Sequence, residues 1–151
     1  MQKEHPTAAT LIPDAKKHLE EIRQFLIDKK IITMPSEVRV KVEETLPYLR
    51  ETSTASMDTP GPFEEKATEA YYYITPVNMK WTPAQQEDWL MQFNYYGTDI
   101  VSIHEAYPGH YTQFLHLNAS DASKIRKIFG SYAFIEGWAH YTEKMLVEAG
   151  F

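Results

Sequence analysis

A proline and a glycine stand between two histidines in His104-Glu105-Ala106-Tyr107-Pro108-Gly109-His110, and no regular helix accommodates that pair in its interior. The proline ring clashes with the carbonyl four residues back, that of His104, and removes an amide donor. Yet Ile100, Val101 and Ile103 lead in, and Gln113, Phe114 and Leu117 lead out, at helical spacing. The helix must therefore open into a bulge or kink at Pro108-Gly109. In an unbroken helix, histidines six apart would point roughly 240° away from each other, at ~100° per residue. Without the Pro-Gly pair the stretch reads His-Glu-Ala-Tyr-His, the spacing at which zinc hydrolases set two imidazoles on one face beside a general base. Pro108-Gly109 thus reads as an insertion that restores convergence. Such bulges recur at functional sites.

The chain has no cysteine, so a metal site here must be built from imidazoles and carboxylates. Hydrolytic zinc takes three protein ligands and keeps a fourth position open. His104 and His110 supply two, and Glu136 is the expected third. It lies among Phe134, Ile135 and Trp138, where a buried carboxylate needs a partner. Glu136, His140 and Glu143 share one helical face, which makes His140 and Glu143 candidates to support the ligands. Glu105 is placed to act as general base, with His140, Tyr141 or Tyr72 as the group that steadies an oxyanion. The plain alternative is that the histidines are ordinary helix residues and Glu136 a salt-bridged acid. His18 reads as a surface histidine, and His116, six residues beyond His110, as peripheral to the site.

These residues carry a resemblance. His104-Glu105-x-x-Pro108-Gly109-His110 with Gln113 shortly after, and Glu136-Gly137-Trp138-Ala139-x-Tyr141-x-Glu143, resemble the bacterial family called domain of unknown function 885, a group with the look of zinc metallopeptidases. A weaker match runs upstream through Phe25-Leu26, Met34-Pro35, the tyrosine-rich strand and Thr75-Pro76. The resemblance implies zinc on His104, His110 and Glu136, Glu105 as base, and Glu143 and Gln113 as supporting residues. Family members are much longer and mainly helical, so the chain reads as a fragment covering their metal-binding middle. They often carry a second histidine directly after the one matched by His110, where Tyr111 stands here.

The rest of the chain suits an α+β domain, mainly helical, over residues 1–151, with a small antiparallel sheet. Leu11, Ala15, Leu19, Ile22 and Leu26 form the apolar stripe of a helix from Thr10 to Lys30, with Pro13 in its first turn. Val38-Arg39-Val40-Lys41-Val42 alternates as a strand does, and Thr54–Met57 and Ala70–Ile74 are further strand candidates. Three adjacent tyrosines, Tyr71 to Tyr73, cannot share one face of a strand. Thr82-Pro83-Ala84-Gln85 is a capping box that opens a helix to about Asn94. Gly97-Thr98 then interrupts, a new helix begins near Asp99, and the last runs from about Ala122 to Ala149, with Asp121 a possible cap.

A net charge of -6 without a basic stripe argues against a nucleic-acid partner. No apolar run reaches the ~20 residues that span a bilayer. Compartment stays open. The expected function is zinc-dependent hydrolysis of a peptide or similar amide, and the first alternative is a metal-binding or interaction module without turnover. A purely structural helical segment is the second. Exposed apolar faces on such a fragment would favour self-association.

Overall fold

A computed structural model describes residues 3–64 and 68–151. Six α-helices and a three-stranded sheet appear among them in the order α1 (Leu11–Asp28), β1 (Val40–Glu44), β2 (Ala55–Asp58), β3 (Ala70–Ile74), α2 (Pro83–Gln92), α3 (Tyr95–Glu105), α4 (His110–Ala119), α5 (Lys124–Ile128) and α6 (Tyr132–Ala149). The mixed, mainly helical class is as expected.

The sheet is not purely antiparallel. Its order is β1-β3-β2, with β1 parallel to β3 and β2 antiparallel to it. Alternation in a sequence identifies strands but not partners. The strand with the most buried residues, β3, takes the centre, where Ala70, Tyr72 and Ile74 face inward. Tyr71 and Tyr73 lie together on the other face, their rings stacked 5.6 Å apart. β1 also begins two residues later than alternation suggests. The Tyr107 hydroxyl accepts from the Val40 amide and the Tyr111 hydroxyl donates to the Val38 carbonyl, so side chains hold the backbone just ahead of the ladder.

Helix α1 buries Leu11, Ala15, Leu19, Ile22 and Leu26 against α3 and β1. His18 joins this packing and is not a free surface histidine: its Nδ1 is 2.6 Å from Asp99 Oδ1, and its ring stacks on Tyr95. The Thr82–Gln85 capping box forms as the motif requires. Helix α3 starts four residues earlier than expected, because the Asn94 side chain caps it by accepting from the Gly97 amide. Gly97 is no interruption; a Cβ there would meet the Gln92 carbonyl oxygen at 2.8 Å.

The expected last helix is two. Ser123, rather than Asp121, caps α5, which ends at Ile128, and α6 begins at Tyr132. Gly150 closes α6 in the left-handed conformation at φ 89°, a position that favours glycine. Helix α6 packs on α3 and α4, which brings its Glu136 side over the Pro-Gly break. Among the described residues no helix is long and apolar enough to cross a membrane.

Candidate metal centre

The break at Pro108-Gly109 is complete. Helix α3 ends at Glu105 and α4 begins at His110, so four residues separate two helices where a bulge within one was expected. The Tyr107–Pro108 peptide is cis. Gly109 then brings the start of α4 directly against the end of α3: its amide donates to the Ile103 carbonyl at 3.0 Å, and a Cβ on it would fall 1.7 Å from the His104 carbonyl oxygen. No side chain fits there. The Thr112 hydroxyl donates back to the Ala106 carbonyl, and the Trp138 indole donates to the Pro108 carbonyl at 3.0 Å, so α4 and α6 both hold the break in shape.

The consequence is the convergence of His104 and His110. Their rings meet edge to face with centroids 4.7 Å apart. Glu136 reaches in from α6, its Oε2 lying 3.4 Å from His104 Nε2 and 3.6 Å from His110 Nε2. One ligand atom from each residue lies within 4.8 Å of the others. These separations are long for N–H···O hydrogen bonds, which cluster near ~2.9–3.0 Å. They suit ligands around a common ion: two atoms each ~2.0–2.1 Å from zinc at a tetrahedral angle stand roughly 3.3 Å apart. The donor set of two imidazoles and a carboxylate, arranged about a shared point, therefore fits a divalent metal.

Glu136 is more exposed than its apolar neighbours suggested, with 56% of its side chain accessible. Phe134 is exposed too. This stretch of α6 faces a cavity instead of the core, which is why apolar composition there was a poor guide to burial. The cavity, about 1040 Å³, is lined by His104, Glu105, His110, Gln113, Glu136 and residues of β2 and α5 among others.

Glu105 lies in the wall of this cavity. Burial pushes its carboxyl up to about 7, against the pull of the His104 ring; Glu136 adds to the rise, and a hydrogen bond from the Met57 backbone opposes it. His110 is shifted the other way: burial lowers its affinity for a proton and His104 adds to this, while Glu136 opposes. A neutral imidazole is the form that ligates a metal.

Around the cluster, Glu143 accepts from both neighbouring imidazoles, with Oε1 2.8 Å from His104 Nδ1 and Oε2 3.0 Å from His140 Nδ1. His140 is otherwise 82% exposed. Neither it nor Tyr141, which leans on Trp138, is among the residues lining the cavity. Tyr72 is fully buried in the sheet, its hydroxyl accepting from Ser102 and its ionisation pushed upward by burial, so it faces the core and not the cavity. His116 stays at the periphery, bonded through Nε2 to the Thr33 carbonyl. Nothing in the sequence marks the contribution of Met57 from β2. Its backbone amide leaves no side-chain signature to find.

A comparison with functionally curated proteins finds no match. Among solved structures, a protein named as a lipoprotein of unknown function from Shewanella oneidensis is 32% identical, with a TM-score of 0.80 over 99% of this chain and 26% of its own. A second, named as a lipoprotein from Colwellia psychrerythraea, is 20% identical with a TM-score of 0.72, over 95% of this chain and 22% of its own, and shows likeness of fold alone. The chain thus spans about a quarter of the length of these solved relatives. The model of the bacterial family of unknown function DUF885 matches residues 1–151, and the chain belongs to that family.

Proposed function

We propose that the chain is a metal-binding unit, that His104, His110 and Glu136 hold the metal, and that the metal is zinc. The carrying observation is the spacing of Glu136 Oε2 at 3.4 and 3.6 Å from two imidazole nitrogens across a broken helix. Imidazole and carboxylate ligands without thiolate suit zinc, although such a set is open to other divalent ions of the first transition row. The test is metal analysis of the purified protein. About one equivalent of zinc in wild type, lost in His104→Ala and Glu136→Ala, is expected; an equal and low content in all three would overturn the reading.

A finer reading, hydrolysis of a peptide or similar amide, is supported by Glu105. Its carboxylate lines the same cavity as the three ligands and takes up a proton near neutrality, as a general base must. A zinc ion held by His104, His110 and Glu136 would supply Lewis acidity, lowering the pKa of a water towards ~7 and polarising a carbonyl. Glu105 would take the proton from the attacking water and pass it to the leaving amine. Met57 would fix the orientation of that carboxylate, and Glu143 that of His104.

The sheet edge favours a peptide as substrate. Thr75 donates to the Thr54 carbonyl at 2.9 Å, so alternation along the antiparallel ladder turns the backbone groups of Ala55 and Met57 away from β3. Both residues line the cavity. The Met57 amide is held by Glu105 and the Ala55 carbonyl accepts from the Ser53 hydroxyl, so an extended chain would pair with the Ala55 amide and the Met57 carbonyl along that edge. Cleavage of a peptide library by wild type and its loss in Glu105→Gln with zinc retained would support this finer reading. Zinc binding without cleavage by either protein would leave a metal-binding module as the function.

A further inference from the structure

Two buried side-chain atoms have no hydrogen-bond partner among the described residues: Nδ1 of His110 and Oε1 of Gln113. Buried polar groups are nearly always paired, so two orphans call for a reason. They belong to residues three apart at the start of α4, and side chains at that spacing are neighbours on one helical face. One can donate and the other can accept.

We propose that Gln113 is the positioning residue for His110, accepting the Nδ1 proton that this imidazole carries when its Nε2 is given to a metal. The inference rests on the metal-binding reading above. A neutral imidazole has one N–H, and the nitrogen that carries it is decided by what the other nitrogen binds. His104 already shows the arrangement: Nε2 faces Glu136 and Nδ1 is held by Glu143 at 2.8 Å. His110 repeats the first half, with Nε2 towards Glu136. The second half is unmade: Gln113 Oε1 stands outside hydrogen-bonding geometry with Nδ1, and rotation of the flexible Gln113 side chain is needed to bring it in. Coordination at Nε2 would leave the proton on Nδ1, a donor for which Gln113 Oε1 is the unpaired acceptor one turn along α4. Gln113 would thus fix the ring plane of His110 and favour the tautomer that binds.

The test is zinc affinity, measured by competition with a chelating indicator, in wild type, Gln113→Met and Gln113→Glu. Loss of the acceptor in Gln113→Met should weaken zinc binding about 10- to 100-fold, the usual effect of removing a partner of a ligating histidine. Gln113→Glu keeps an acceptor and should stay within about threefold of wild type or bind more tightly. In zinc-loaded wild type, nitrogen-15 NMR should show His110 protonated at Nδ1, with a slowly exchanging proton. Equal zinc affinity in wild type and Gln113→Met would overturn the role of Gln113 while leaving the metal site standing. No zinc binding by wild type would overturn both. If Gln113→Met fails to fold, the NMR signal decides, and its absence from the zinc-loaded wild type would overturn the proposal.

Discussion

Glu143 Oε1 lies 2.8 Å from His104 Nδ1, so the imidazole nitrogen that faces away from Glu136 is already committed to a carboxylate. With Nδ1 donating, the lone pair on Nε2 is left for a metal. The orientation of one ligand is thereby set before any ion arrives.

Replacing Glu143 by Ala should therefore weaken zinc binding roughly 10- to 100-fold without removing a ligand. His140→Ala is the matched control. His140 touches the other oxygen of Glu143 but is 82% exposed, so zinc affinity should change by less than about threefold. Titration against a chelating indicator measures both. Equal losses in the two variants would mean that the three residues act as one network and that His140 is part of the site.

Gly109→Ala should be among the most damaging single substitutions in the chain. The added methyl would sit 1.7 Å from the His104 carbonyl oxygen and 2.4 Å from that of Ile103, both backbone atoms that cannot swing aside. Relief requires α3 and α4 to part, which undoes the convergence of His104 and His110. Overpacking ordinarily costs ~1–3 kcal/mol, and a clash of this depth belongs at or above the top of that range. Urea unfolding and zinc titration should fall together. Ala substitution at Gly61, where a Cβ meets nothing within 4 Å, should leave zinc binding unchanged.

The contrast between these two glycines shows what could be read beforehand. That a helix must break at Pro108 follows from one ring and one missing amide, and the apolar stripe of α1 follows from its spacing; both are local consequences of covalent structure. The partners of β1, the exposure of Glu136 and the amide of Met57 at Glu105 are not local. Each depends on which element settles beside which. Glu136 is the clearest case, since Phe134 and Ile135 promised burial and instead line a cavity. Asn94 is readable in principle, because an Asn three residues before a glycine amide can cap a helix, but a glycine at that place equally marks a break.

Tyr111 occupies the position where the resembling family often has a second histidine, and its placement predicts what restoring one would do. The ring is buried, packs edge-on against Tyr107, and donates its hydroxyl proton to the Val38 carbonyl at 3.1 Å. It is turned to the sheet and does not line the cavity. Tyr111→His should therefore add no ligand: zinc stoichiometry and affinity should stay within about twofold of wild type. Stability should drop by about 1–3 kcal/mol, from lost packing and an unpaired Val38 carbonyl. Tighter zinc binding in the variant would show that the position can reach the metal.

Glu105 gives the chain a pH dependence opposite to that of a salt-bridged acid. Its carboxyl rises from 4.5 to about 7, chiefly because burial penalises the charge. Between those values the folded state holds a proton that the unfolded state has released, so stability falls as pH rises through this window and levels off above it. A shift of this size corresponds to a loss on the order of 3 kcal/mol, since one pKa unit is ~1.4 kcal/mol. Gln carries no such charge. In zinc-free protein, the stability of wild type relative to Glu105→Gln should decline between about pH 5 and pH 7, measured by urea unfolding in the presence of a chelator. Zinc should flatten the difference, because a cation beside the carboxylate favours the ionised form. A wild-type curve parallel to that of the variant over this range would mean that Glu105 is ionised throughout, held by His104 and Met57 against the cost of burial.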